Sequence, residues 1–321
     1  YILKITEKVM KIIQKQKRGM QTMLKSKRKR KEVFDTVLYT LPAIVLVTMM
    51  MYIPFIMSGY YSLTKWNGIA KDAEFIGLDN FVTIFSKSKE FSNALIFTGK
   101  YTLLFIIFSN VLALFLAVCL TKKFKMANVL RGVFFIPYIM SMTIVGFIWK
   151  FIFTQGFARL ADITGWGIWD MSWLGDPNLA FYSVVLVGVW QSLGFYIVLY
   201  IAGLQAVPAD VLEAATVDGA TGRQRFFKVT LPMLTPSLFF NLVNGIIGSL
   251  QAFNSAYLVT NGGPMNATLF YGLYQYQQAF QFGNMGYASA MAWFWMLIIV
   301  LLTALVFKSS SAWVFYQDDR A

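Results

Sequence analysis

The residues best suited to binding chemistry are uncharged amides and hydroxyls in the fifth apolar segment of the chain. A continuous helix there would carry one polar face, because intervals of three or four residues separate Asn244, Gly248, Gln251 and Ser255. Asn254 adds a further amide beside Ser255. Amides and hydroxyls donate and accept hydrogen bonds without charge, so this face suits a neutral polyhydroxy solute.

The fourth apolar segment supplies aromatic rings and another amide. Rings offer stacking faces, and a glycine among them leaves room for a bound group. An alternative stays open, because the same polar groups can hold membrane helices together through interhelical hydrogen bonds. With both segments combined, we predict a solute site formed by Trp190, Gln191, Gly194, Tyr196, Asn244, Gly248, Gln251, Asn254 and Ser255.

Apolar segments long enough to cross a membrane must position these side chains. Of the 321 residues, 57% are hydrophobic and 13% are charged, whereas soluble domains carry roughly 25% charged residues. A membrane helix needs about 20 apolar residues, and six segments qualify: roughly 36–61, 98–121, 130–153, 180–206, 235–260 and 286–307. We therefore predict an all-α integral membrane protein with six transmembrane helices.

The distribution of Lys and Arg predicts the orientation of these helices. The net charge is +13, and its densest run is KSKRKRK at 25–31, in a basic tail that spans 1–34. Loop 261–285 carries no charge at all. Because cytoplasmic loops are enriched in Lys and Arg, we predict that both termini are cytoplasmic. The predicted order is a tail (1–34), a transmembrane domain (35–310) and a C-terminal tail (311–321); the basic tail suits a membrane surface better than a nucleic acid.

Several kinds of chemistry are disfavoured by what the sequence lacks. It has no histidine and one cysteine, Cys119, which excludes a disulfide framework and a Cys/His metal site. It has no GxxxxGK[ST] motif, so we expect no nucleotide or other cofactor in this chain. The apolar segments lack Asp, Glu, Lys and Arg between their ends, which disfavours proton coupling. A stand-alone secondary transporter for a neutral solute, coupled to sodium, stays open as an alternative, as does a non-transporting membrane scaffold.

The longest polar stretch between two apolar segments on the predicted cytoplasmic side, 207–234, has the pattern of a helix, a glycine turn and a second helix. Pro208 suits a helix start, and Gly219 can take the left-handed conformation that ends a helix. Thr221 can cap the second helix, and Pro232 is expected to stop it.

This stretch resembles the EAA loop of permease subunits in binding-protein-dependent ABC importers. The family pattern matches in register at Glu213, Ala214, Ala215, Gly219, Leu231 and Pro232, while Val229 replaces an isoleucine. SLTKWNG at 62–68 and TNGGP at 260–264 are similar to outer segments of sugar-importer permeases, and FGNMGYASAMAW at 282–293 is similar to the entry to their last helix. The similarity is greatest to the first permease subunit of maltose-type transporters.

The resemblance implies a non-catalytic subunit that translocates a neutral carbohydrate, an oligosaccharide in particular, in a bacterial or archaeal cell membrane. It implies a second homologous permease, two ATPase subunits that hold ATP and Mg, and an extracellular or periplasmic solute-binding protein. That protein would dock near loop 261–285, whose Tyr, Gln and Phe residues can also be read as an aromatic belt at the membrane interface. The coupling helix that contacts the ATPase would include Glu213, Ala214, Ala215, Asp218, Gly219, Arg223 and Pro232.

Overall fold

The computed structural model describes residues 31, 34–86, 89–122 and 125–315. The chain divides into two compact units, Tyr1–Tyr60 and Tyr61–Ala321. The predicted N-terminal tail lies outside the described residues except for residues 31 and 34, and so does the end of the predicted C-terminal tail, 316–321.

The described part of the first unit is an apolar helix, α1 (Phe34–Tyr61), which runs one residue into the second unit. It contains a π-helical turn at Thr48–Tyr52, where the Ile53 N–H bonds the Thr48 carbonyl. Pro54 comes directly after Ile53 and has no N–H to donate to a regular α-helical hydrogen bond. The wider π-helical turn therefore lies at the point where that bond would be missing.

The described residues of the second unit form helices and one small hairpin, joined by loops. Strands β1 (Thr64–Lys65) and β2 (Glu74–Phe75) pair antiparallel. The helices in chain order are α2 (Asp79–Ser86), α3 (Lys89–Thr121), α4 (Ala127–Ile139), α5 (Met142–Thr164), α6 (Pro177–Ala206), α7 (Ala209–Val217), α8 (Gly222–Met233), α9 (Thr235–Leu250), α10 (Asn254–Val259), α11 (Tyr271–Tyr276) and α12 (Met285–Ser310).

Within the described residues, five helices are long and apolar enough to cross a membrane: α1, α3, α5, α6 and α12. The pair α8–α9, bent by 61°, makes up to six if it counts as one span. The prediction of an all-α membrane protein is therefore confirmed, and the predicted six spans are reached if the bent pair counts as one span.

Helix α6 packs most closely against α3. The buried residues of α3 recur every three or four positions, so they form one stripe along the helix. In the second half of α3 this stripe is small, with Ser109, Ala113 and Ala117 fully buried. Small residues let membrane helices approach closely, which gains dispersion contacts where lipid provides no hydrophobic driving force.

Two predicted spans are interrupted, so their prediction as continuous helices is wrong. The segment 130–153 divides between α4 and α5, because Met140 and Ser141 take extended conformations. The segment 235–260 divides between α9 and α10 at 251–253. Irregular backbone at membrane depth is tolerated where it lines a cavity or is buried in protein.

Gly194, predicted to leave room for a solute, instead sits at the contact between α6 and α4. A Cβ built on Gly194 would overlap the Phe134 carbonyl oxygen and lie 2.7 Å from the Phe135 Cα. Both obstacles are backbone atoms, so no side-chain rotation could relieve the overlap.

We therefore predict that Gly194→Ala destabilises the fold by about 1–3 kcal/mol, because α4 must shift away from α6. Thermal unfolding of the detergent-solubilised protein should show a lower Tm. The matched control is Gly248→Ala, since a Cβ at Gly248 meets nothing within 4 Å. An unchanged Tm in the Gly194 variant would contradict this role.

Candidate binding cavity and connecting loop

A cavity of about 420 Å³ lies where α3, α6 and the α9–α10 break converge with the end of α4 and the start of α5. Its lining has no formally charged side chain. It contains amides, hydroxyls and rings: Gln191, Asn244, Gln251, Asn254, Ser192, Ser249, Ser255, Tyr101, Phe105, Tyr138, Phe195, Tyr196 and Phe253.

The structure brings together seven of the nine residues predicted for a solute site. These are Gln191, Tyr196, Asn244, Gly248, Gln251, Asn254 and Ser255. The continuous helical face from which four of them were predicted does not exist, since α9 ends at Leu250. The break itself directs Gln251, Asn254 and Ser255 to the cavity reached by Asn244.

The break is held by a side chain distant in sequence. The Trp295 indole N–H donates to the Leu250 carbonyl over 3.0 Å, which satisfies an acceptor at the end of α9. Trp295 also stacks on Tyr271, with 4.2 Å between ring centroids. Tyr271 is buried, which raises the pKa of its hydroxyl, and this neutral group donates to the Met291 carbonyl at 2.7 Å.

Trp190 and Gly194 are placed elsewhere. Trp190 lines a separate, apolar groove together with Phe108, Leu112 and Tyr182. Its ring meets Trp149 edge-on, with 5.5 Å between centroids. The polar cavity and Trp190 therefore belong to different faces of α6.

Sequence reasoning missed the rings that α3 and α4 contribute, namely Tyr101, Phe105 and Tyr138. A signal was available for the first two, because they continue the buried stripe of α3. Tyr138 ends a helix whose break was not foreseen, so its position could not be inferred.

One turn along α6 from Tyr196, a polar cluster lies within the helix packing. The Tyr200 hydroxyl donates to Asn110 Oδ1 over 2.6 Å, which links α6 to α3. The Asn241 side chain, on α9, is fully buried beside the Tyr200 hydroxyl. In this cluster, polar side chains hold membrane helices together, which is the alternative to solute binding.

The connecting loop folds as a helix, a turn and a second helix, as its sequence indicates. Gly219 has φ of +77°, the left-handed conformation that glycine adopts most readily. The Ala220 N–H bonds the Ala215 carbonyl at 3.0 Å, which closes the end of α7. Thr221 caps α8 in a reciprocal capping box with Gln224.

The turn is tied across its two arms, because Arg225 Nη1 donates to Thr216 Oγ1 over 2.7 Å. Pro232 does not stop the second helix: α8 continues to Met233 through a π-helical turn at Phe226–Thr230. The Leu231 N–H bonds the Phe226 carbonyl, five residues back, so the wider turn again directly precedes a proline.

The residues predicted for partner contact lie at the surface of this loop. Ala215 is half-buried, and the others are exposed: Glu213, Ala214, Asp218, Gly219, Arg223 and Pro232. Val217, at the end of α7, is 87% exposed.

The chain matches the family model described as "Binding-protein-dependent transport system inner membrane component" over residues 109–320. It is 37% identical to the probable ABC transporter permease protein YesP of Bacillus subtilis (strain 168), covering 94% of this chain and 98% of that protein. It is 36% identical to the probable starch degradation products transport system permease protein AmyD of Thermoanaerobacterium thermosulfurigenes, covering 84% and 91%.

The fold is similar to a chain in the crystal structure of a bacterial alginate ABC transporter in complex with an alginate pentasaccharide-bound periplasmic protein. The TM-score is 0.75 at 21% sequence identity, covering 88% of this chain and 95% of that one. The spans, the loop and these similarities agree: the chain belongs to the family of inner-membrane permease components of binding-protein-dependent ABC transporters.

Proposed function

We propose that this permease carries a neutral carbohydrate, and in particular an oligosaccharide, into the cell. The observation that carries the proposal is the 420 Å³ cavity lined by amides, hydroxyls and rings without a formal charge. Sugar hydroxyls pair with amides, and the apolar faces of sugar rings stack on aromatic side chains. The relative AmyD, named for transport of starch degradation products, supports the same cargo class.

The absence of a fixed charge limits the cargo. An anionic or cationic solute in a low-dielectric site would need an opposite charge to compensate for its lost hydration. Neutral hydroxyls need only hydrogen bonds, each contributing about 0.5–1.5 kcal/mol net. Selectivity then rests on several modest contacts, made by Gln191, Asn244 and Gln251 together with the Tyr196 ring.

The drive for transport is proposed to come from partners. Two ATPase subunits would bind ATP and Mg, dock on the loop around Glu213 and Gly219 and displace it. A second, homologous permease would complete the membrane complex, and an external solute-binding protein would deliver the sugar, which the family description supports. Membership of this family favours the ABC importer over a stand-alone secondary transporter.

We predict that Gln191→Ala, Asn244→Ala and Gln251→Ala each lower uptake of the transported sugar, by about tenfold if roughly 1.4 kcal/mol is lost. Tyr196→Ala should lower it further, because a stacking face is removed. Uptake is measured per folded complex, beside the Tm.

The control for this prediction is Trp190→Phe, which changes the apolar groove and should leave the KM for sugar unchanged. If the amides only hold helices together, their removal will lower the Tm while uptake per folded complex stays constant. Transport of a strongly charged solute at a comparable rate would contradict the cargo class.

We predict that Gly219→Ala impairs coupling to ATP hydrolysis, because a Cβ disfavours the left-handed turn by roughly 1–2 kcal/mol. Sugar-stimulated ATP hydrolysis and uptake should both fall about tenfold, while membrane insertion stays intact. Glu213→Ala should weaken ATPase association. The matched control is Gly222→Ala, three residues on, whose Cβ meets open space; equal effects in both variants would refute the role of the turn.

We predict cytoplasmic termini, with the loop inside and the residues after α10 outside. On a Cys119→Ser background, Met265→Cys should react with an impermeant thiol reagent in intact cells, and Thr221→Cys only after permeabilisation. Met265 is 89% exposed, so a cysteine there is accessible to the reagent. Thr268 in the same loop is fully buried, and a cysteine there would not react. The opposite labelling pattern would overturn the orientation.

A further inference from the structure

A second, smaller cavity of about 270 Å³ adjoins the first. It is lined by Phe253, Gly272, Gln275, Tyr276, Ala279 and Phe280. Phe253 lines both cavities, so they share part of their wall. Like the first cavity, this one combines rings and an amide without a formal charge.

The rings form a continuous series that leads away from the inner cavity. Phe253 stacks with Tyr257 at 5.2 Å and an interplanar angle of 14°. The Tyr276 ring lies 5.2 Å from Phe253, and the Phe280 ring lies 5.1 Å from Tyr276. Phe280 is 68% exposed, so the series ends at the surface.

Helix α11, which carries Gln275 and Tyr276, is anchored firmly at its first residue. The Tyr271 N–H donates to Thr98 Oγ1 at 2.8 Å, which ties α11 to α3. The stacking of Tyr271 on Trp295 ties it also to the helix break that forms the inner cavity. Side chains held on anchored elements lose little conformational entropy when a ligand binds.

We propose that the outer cavity is a second carbohydrate subsite, which binds the sugar ring that follows the two rings held in the inner cavity. Its volume is below the roughly 300–1,000 Å³ typical of sites for whole small molecules, so it fits one ring of a longer chain. The subsite rests on the proposed function, and it makes the permease favour oligosaccharides over shorter sugars.

The test compares chain lengths in the complete transport complex. Phe280→Ala and Tyr276→Ala are assayed with α- and β-linked neutral hexose oligomers of two to six units. For the oligomers that wild type takes up, the KM should rise roughly three- to tenfold at three to six units. It should stay unchanged for disaccharides, which the inner cavity holds alone.

Two variants serve as matched controls. Phe282→Ala removes a ring that is 61% exposed and only two residues from Phe280 but outside the lining of the outer cavity. Tyr276→Phe keeps the stacking face and loses only the hydroxyl. Both should retain the wild-type dependence on chain length, and Gln275→Ala should share the loss seen for long oligomers.

Three outcomes would overturn the subsite. An equal loss at every length, with weaker stimulation of ATP hydrolysis by the binding protein, would mean that Phe280 and Tyr276 dock that protein. Unchanged KM values at all lengths would mean that the outer cavity binds no sugar. If the wild-type complex takes up no neutral sugar, the proposed function itself fails, and the subsite fails with it.

Discussion

The hydrogen bond from the Trp295 indole to the Leu250 carbonyl is the interaction on which the polar interior depends. A helix that stops within a membrane leaves carbonyls without partners, and lipid offers none. Trp295 supplies a partner from α12 and stays buried by stacking on Tyr271. The chain can then depart from helical geometry at 251–253, so that its amides face the cavity. A continuous helix would not place them there.

Polar side chains in and near the cavity have two different roles. The Ser192 and Ser249 hydroxyls donate to carbonyls of their own helices, those of Gly188 and Gly245, so they serve the backbone. Asn110 and Tyr200 pair across α3 and α6 and hold helices together. Polar residues on neighbouring turns of the same bundle therefore have different roles. Some hold helices together, and only those on a turn that faces the cavity can bind a solute.

How far the sequence predicts the structure depends on the range of the interactions involved. The left-handed Gly219 and the Thr221 cap were predictable because their partners lie within a few residues. The break after Leu250 was not, since its stabilising partner is 45 residues away. Trp190 and Tyr196 are both aromatic and lie on one helix. Which of them faces the cavity depends on how α6 is rotated about its axis against α3. Because α6 is hydrophobic on all sides, its sequence pattern does not indicate that rotation.

The loop and the cavity are joined through two helices, α6 before the loop and α9 after it. Helix α9 begins at Thr235, directly after the bend at Leu234, and carries Asn244 into the cavity. The side-chain bond from Arg225 to Thr216 links α7 to the start of α8 across the turn. Leu234 is buried, which makes the bend a packed joint. A displacement of the loop would therefore reorient the amides of α9, and this geometry allows an event at the loop to change the affinity of the cavity.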